Sequence, residues 1–374
     1  MSGWKIYTTV DDPEISWKEK SDQEYLRPLV GETQNLFFPN LKTTLLLASN
    51  GDTVIPLTVN DAEYGNCYLC SPYDHYVSYA KEEIENTKSG WPWSQLKMLF
   101  PLVGFVLKKA QVNRSIMVNN WLFSTNLHPE IEESKFVNLR KLLRQQFPTH
   151  AILYRSLDRR CHEKKISSLV ETGCHTLPLR MVYYAEGATP DIFETRIYGS
   201  DRKLALKSDY KFEIVKQDEE IAWERLAELY RMLYIEKYSA CNLEITSAFF
   251  EHAFKSGKVQ FGLLKNEGRI DGMVGFYSQN GVMTAPYFGY DTQLPAELRI
   301  SRLLAYYLLE KAREDKILFN QSSGAGQFKT LRRAKPFLEY LVVDVAHLPR
   351  TRRFLWKSFI KAMSKFGEKI MSQW

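Results

Sequence analysis

The chain has 374 residues, enough to bury a sizeable core, and the length favours two domains over one. Its 44% hydrophobic, 25% charged and 13% aromatic content is globular, not disordered or collagen-like. A net charge of +6 permits an acidic partner without demanding one. No window approaches about 18 uninterrupted apolar residues, which excludes a membrane-spanning helix.

The first twenty residues are polar and acidic, so no secretory signal is predicted. Five cysteines, an odd number and mostly scattered, predict reduced thiols and a cytoplasmic setting. After a stretch of weak periodicity to about residue 40, two β-type runs, 43–48 and 53–59, flank Ser49-Asn50-Gly51-Asp52, a strong hairpin signal. A further strand entering a loop is expected over 66–79, a helix around Pro101 over 94–109, and a strand over 115–123 ending in Ser124-Thr125-Asn126. The spacing of Ile131, Phe136, Leu139, Leu142 and Leu143 predicts a helix closed by Pro148. A short strand at 151–154, a helix over 162–171 ending at Gly173, and a strand over 177–184 follow.

Residues 186–210 read as a boundary or a bridging segment, because 196–211 is highly charged with little periodicity. A second series then begins. It has a strand at 212–215, helices over 221–238 and from Thr246 or Ser247 to Gly257, and strands over 259–265, 270–278 and 282–289 joined by glycine turns. A long helix spans 295–314, a short strand 317–320, the small-residue loop Gln321-Ser322-Ser323-Gly324-Ala325-Gly326 opens another helix, and a last strand covers 337–345. The sequence from residue 347 is a basic amphipathic helix. The predicted fold class is α+β (α/β), with a mixed sheet flanked by helices in each half. The expected domains are 1–190, 191–346 and the terminal helix 347–374. The two halves share element order without a residue-level repeat, so duplication is a hypothesis.

The residues Phe288-Gly289-Tyr290-Asp291, Asn320 to Lys329, Arg332-Arg333-Ala334 and Glu339-Tyr340 carry a resemblance. Residues 212–345 resemble the fold of the GNAT superfamily of acyl-CoA N-acyltransferases. The doubled layout is similar to that of the Fem-type peptidyltransferases and the cellulose-biosynthesis-type acyltransferases. This resemblance implies an amide-forming acyltransferase in which residues 191–346 are catalytic and residues 1–190 are degenerate or substrate-binding. It implies a thioester co-substrate, acyl-CoA or acyl-carrier protein, and no permanently bound cofactor. The acceptor would be a small amine or a Lys/Orn-type side chain of a peptide, and the acyl group could be fatty. One departure bears on the donor. GNAT domains usually place a glycine-rich loop before the long helix to hold the pyrophosphate, and here that place reads Pro295 to Arg302 without glycine. A helix start with Arg299, Ser301 and Arg302 still offers N–H groups and charge to an anion. The missing glycines leave room for an acyl-carrier protein or an aminoacyl-tRNA as donor. A Fem-like tRNA-dependent peptidyltransferase and a non-catalytic acyl- or peptide-binding module are the alternative readings.

Amine acylation needs a group to take the ammonium proton, donors for the tetrahedral oxyanion and an acid for the leaving thiolate. Tyr290 and Asp291 at one strand end, with Asn320 and Ser323 at the neighbouring one, are the catalytic candidates. Asp291 would bind or deprotonate the amine, and Tyr290 or Ser323 would act as acid or donor. Arg299, Ser301, Arg302 and Lys329 are the candidates for the donor's phosphates or a carboxylate. Plainer roles exist for each: Asp291 capping a turn, the serines capping the next helix, Arg332 and Arg333 solvated. Pro286 and Gly289 predict a bulge or splayed edge in strand 282–289. Cys67-x-x-Cys70 with His75 lacks a second cysteine pair, so no metal site is predicted. Neither DNA nor a membrane span enters the reading, and tRNA enters only under the Fem-like alternative.

Overall fold

The Asn50-Gly51 turn does what its residues demand. Gly51 takes φ +89°, and the Asn50 side chain accepts from the N–H groups of Asp52 and Thr53 at 3.0 and 2.9 Å. The flanking runs, β2 (Thr44–Ser49) and β3 (Val54–Asp61), then pair antiparallel from Thr44↔Val59 to Ser49↔Val54, after β1 (Lys5–Tyr7) and α1 (Lys20–Leu26). The computed structural model describes residues 3–31, 36–87 and 93–371, and its contacts divide into two units. The first comprises Met1–Leu179, Tyr238–Glu244 and Glu339–Gln373; the second, Arg180–Lys237 and Ile245–Leu338.

In the first unit the chain continues through a π-helical turn (Asp74–Tyr79), α2 (Ala80–Thr87), α3 (Trp93–Lys109), β4 (Arg114–Val118), α4 (Glu133–Gln146), β5 (Ala151–Asp158) and α5 (Arg159–Glu171). Its sheet is ordered β1-β2-β3-β4-β5, with β4 and β5 parallel, and residues 339–344 of the chain's last strand add to β5 antiparallel. Alternation puts Ile116, Val118, Ile152, Tyr154 and Val342 into one core. Phe136, Leu139 and Leu143 of α4 and Ile166 and Leu169 of α5 cover that face. Residues 66–79 are not the expected strand. Asn66 and Ser71 are tied to the buried Asp74 carboxylate, which accepts at 3.1 and 2.6 Å and folds the segment into turns and helix.

β6 (His175–Glu186) leads from the first unit into the second. There follow α6 (Arg196–Lys207), β7 (Lys211–Ile214), α7 (Trp223–Arg231), a π-helical segment (Met232–Tyr238), α8 (Ser247–Lys255), β8 (Gln260–Asn266), β9 (Arg269–Gln279) and β10 (Val282–Tyr290). Then come α9 (Ile300–Glu314), β11 (Leu318–Asn320), α10 (Gly326–Thr330) and β12 (Lys335–Asp344), and α11 (Arg350–Met371) ends the chain in the first unit. The strand order in the second unit is β6-β11-β10-β9-β8-β7, a mixed sheet with one parallel pair, β10 and β11. The charged segment 196–207, which shows little periodicity, is a helix. Thr195 caps it by accepting from the Tyr198 N–H at 3.1 Å, and Tyr198 and Asp201 supply its buried side.

Helices cover both faces of this sheet. Ile300, Leu303, Leu304 and Leu308 of α9 pack with Val274, Phe276, Met283 and Phe319. On the other face Tyr287 meets Phe250 at 5.3 Å and stacks with Phe261 at 6.2 Å between ring centroids. α7 crosses β10 so closely that a Cβ on Gly289 would lie 2.8 Å from the Leu229 carbonyl carbon and the Tyr230 nitrogen. Both are backbone atoms and cannot swing away. Gly289→Ala is therefore expected to cost about 1–3 kcal/mol, the usual penalty for overpacking, read as a lower midpoint in urea unfolding at unchanged slope.

Candidate active site

The two strands that hold the predicted residues run together only briefly. β10 and β11 pair from Val282↔Leu318 to Thr284↔Asn320, where β11 ends, while β10 continues beside β9 to Tyr290. The β9 register shifts between Thr284 and Tyr287, and Pro286, which has no N–H to donate, sits in that shift. The side-chain alternation records the extra residue. Met283 and Ala285 join the α9 core before the shift, and Phe288 and Tyr290 join it after. The result is a fork. At its apex Thr284 is fully buried, and its Oγ1 and the Nε2 of Gln321 find no hydrogen-bond partner within the protein. Each such buried orphan costs on the order of 1–3 kcal/mol, so two at one fork mark a place built for more than packing.

On the β11 side, Asn320 is buried. It donates to the Tyr184 hydroxyl at 2.9 Å and accepts from the Ser322 N–H at 2.8 Å. The loop then turns through Ser322 (φ +57°), Gly324 (φ +79°) and Ala325 (φ +50°) into α10. Lys329, one turn along, reaches back to donate to the carbonyls of Gln321, Ser322 and Ser323 at 2.6, 3.2 and 2.8 Å. An ammonium has three donors, and here all three hold the loop. The residue is half-buried. Burial first, then Arg180, pushes its pKa down to about 7, against the three carbonyls, which favour the charge. The Ser323 hydroxyl accepts from Arg180 at 3.4 Å.

On the β10 side, the Tyr290 hydroxyl accepts from Lys237 at 3.0 Å, with the ammonium 5.5 Å from the ring centroid. Asp291 accepts from Arg225 of α7 at 2.7 Å and caps its own turn through the Gln293 N–H at 3.0 Å. Burial works to raise its pKa, but Arg225 and the Gln293 amide outweigh it and hold the carboxyl below the usual range. Arg225 also donates to the Ile270 carbonyl at 2.9 Å and to Glu228 at 2.7 Å. The neighbouring Asp271, fully buried, takes Arg269 at 2.7 Å and Tyr210 at 2.7 Å, and burial with that bond pushes the tyrosine up to about 12.

The start of α9 divides its three candidates. Arg299 takes a left-handed conformation (φ 53°) as the N-cap and is exposed, as is Ser301. Arg302 instead pairs with Asp201 of α6 and donates to Ser200 at 2.9 Å. Arg332, expected to be solvated, is buried against the same carboxylate at 2.7 and 3.1 Å. The Asp201 carboxylate, itself 1% exposed, needs both cations to offset its desolvation.

Hydrogen bonds thus gather Asn320, Ser323 and Lys329 into one loop, and join Tyr290 and Asp291 to α7 and its π-helical continuation. Arg225, Lys237, Tyr184, Arg180 and Thr284 were not singled out in sequence. Arg225 lies 66 residues from Asp291, and no periodicity marks such a pairing.

No family model matches the chain, and no curated protein matches it. Solved structures with a similar arrangement include L-PGS from Bacillus licheniformis, at 14% identity and a TM-score of 0.45, over 61% of this chain and 78% of that one. FemX is similar at 12% identity and a TM-score of 0.44, over 56% and 76% of the two chains. A tandem GNAT protein from the clavulanic acid biosynthesis pathway covers 92% of this chain and 99% of its own at 10% identity and a TM-score of 0.41. The structural neighbours thus include a tandem GNAT protein and a GCN5-related N-acetyltransferase.

Lys329 yields a prediction with a defined sign. The folded chain releases its proton near pH 7, and the unfolded chain holds it to about 10.4. Between those values the unfolded chain binds more protons, so the lysine's contribution to stability rises with pH and is lost as pH falls to about 7. Urea unfolding of the wild type and K329M across that range should show the wild type gaining on the variant as pH rises. Near pH 7, where the proton contributes little, K329M should be weaker by about 1–3 kcal/mol for the carbonyls it strands.

Proposed function

We propose that the chain is an N-acyltransferase that moves an acyl group, fatty acyl included, from acyl-CoA or an acyl-carrier protein to an amine. Lys/Orn-type side chains of peptides are among its acceptors. The observation that carries this reading is the fork, where the paired strands part at Thr284 and Asn320 and leave buried polar groups without partners. A thioester arm laid between the strands would meet the β10 backbone beyond Thr284, whose N–H groups on the β11 side have no strand to bond. Such groups can stabilise the oxyanion.

In the reaction the amine nitrogen bonds to the thioester carbonyl carbon, the tetrahedral oxyanion collapses, and the C–S bond breaks. The ammonium loses one proton to water before the nitrogen attacks, the nitrogen loses a second from the tetrahedral intermediate, and the thiolate gains one. Tyr290 suits the last step. Lys237 donates to its oxygen, so its own O–H is left to point elsewhere. Asp291, kept ionised by Arg225, is a weak base and suits holding the acceptor's ammonium. Ser323 accepts from Arg180 and keeps its O–H as a donor, and Asn320 orders the loop that carries it. For the donor's phosphates Arg299 and Ser301 are the exposed groups, whereas Arg302 and Lys329 are engaged within the protein. The first unit is proposed as a degenerate or substrate-binding counterpart.

Intact-mass analysis of a diamine incubated with acyl-CoA, or with acyl-carrier protein, tests this. The wild type should add one acyl mass. Tyr290→Phe should slow transfer by about 10²-fold or more, and Asp291→Ala should act mainly by raising KM for the amine, each with an unchanged circular dichroism spectrum. Equal rates for wild type and both variants would remove the site assignment, and no transfer from either donor would remove the function.

A further inference from the structure

Helix α3 leaves to solvent a face that its composition makes costly to expose. Leu107 is buried, but Met98, Leu99, Leu102 and Phe105 are 78, 50, 62 and 60% exposed. Their spacing of one, four and seven residues from the first places them on one stripe of the helix. Single exposed apolar side chains are ordinary, whereas four large ones in a row mark a docking surface.

The charge around that stripe says what docks. α3 contains Lys97, Lys108 and Lys109 and no acidic residue. The Lys109 ammonium lies 5.6 Å from the Phe105 ring centroid, so a cation borders the stripe itself. α11 packs on α3 within the same unit and carries seven basic residues against one acidic, Glu368. Arg352 is spent on the carbonyls of Ala110 and Thr149, at 2.9 and 2.6 Å, and fastens α11 to the end of α3. Lys357, Lys361 and Lys365 are exposed and four residues apart. Two packed helices therefore hold more net positive charge than the +6 of the whole chain, and the remainder is net negative. The cationic excess is local.

We propose that α3 and α11 form an interfacial docking surface for an anionic lipid bilayer. The α3 stripe enters the boundary between headgroups and acyl chains, and the lysines meet the lipid phosphates. Among the described residues no helix is long and apolar enough to cross a membrane, so α3 lies on the bilayer. An acidic protein would answer the lysines and leave the apolar stripe uncovered. A second copy of the chain would bring two cationic surfaces together. A bilayer of anionic lipid answers both features at once.

Co-sedimentation of the full chain with vesicles tests this, using phosphatidylglycerol and phosphatidylcholine in equal parts against phosphatidylcholine alone. The wild type should bind the mixed vesicles, and bind at least about tenfold less to phosphatidylcholine alone and in high salt. L102E/F105E should bind the mixed vesicles at least about tenfold less at an unchanged melting temperature. K357E/K361E, which leaves the stripe intact, should also weaken binding. The proposal is overturned if the wild type ignores mixed vesicles, if both variants bind as it does, or if it binds phosphatidylcholine equally well. It is likewise overturned if L102E/F105E abolishes a dimer, or a complex with acyl-carrier protein, in a wild type that ignores vesicles.

Discussion

Much of the second unit follows from one backbone constraint, the missing N–H at Pro286. A strand that cannot donate at that point slips its register against β9, and the slip moves every later side chain to the opposite parity. Tyr287 therefore turns into the aromatic cluster with Phe250 and Phe261, while Phe288 and Tyr290 turn to α9. Gly289 comes to lie under α7, where only a residue without a side chain lets the backbones meet. The strand ends with Tyr290 and Asp291 beside α7, held by Lys237 and Arg225.

Charge pairing then sorts the polar residues around the fork into those that brace and those left over. Asp201 draws Arg302 and Arg332 into the interior, and Lys329 spends its ammonium on three carbonyls. Buried pairs of this kind are costly to break and add little net stability, since desolvation offsets most of the attraction. Their effect here is geometric, because they fix α6, α9 and the 321–325 loop. What remains outside these braces is small: the Tyr290 and Ser323 hydroxyls, the exposed Arg299 and Ser301, and the orphaned Thr284 and Gln321 atoms. The proposed chemistry draws on that remainder and on Asp291, held ionised by Arg225.

Local signals carried far in the sequence. The Asn50-Gly51 hairpin, the α4 stripe and the bulge at Pro286 were all legible, because turn chemistry and periodicity are properties of neighbouring residues. Segments governed by distant partners were not. Residues 196–207 looked too charged for an ordered element, yet Asp201 is buried because Arg302 and Arg332 meet it from about 100 and 130 residues away. Residues 66–79 read as a strand entering a loop, whereas Asp74 gathers the Asn66 N–H and the Ser71 hydroxyl and folds them into turns and helix. The site shows the same division. The strand-end positions of Tyr290, Asp291 and Asn320 could be read, whereas the engagement of Lys329 and Arg302 within the protein depends on folding.

The central claim is that the fork between β10 and β11 receives a thioester. A crystal structure of the chain with a stable thioether analogue of acyl-CoA tests it most directly. The account predicts the thioether sulfur between the diverging strands, with Tyr290 within hydrogen-bonding reach and new partners for Thr284 Oγ1 or Gln321 Nε2. An analogue seated instead in the cavity of about 500 Å³ lined by Glu186, Asp191 and Arg333, with the fork unchanged, would contradict it.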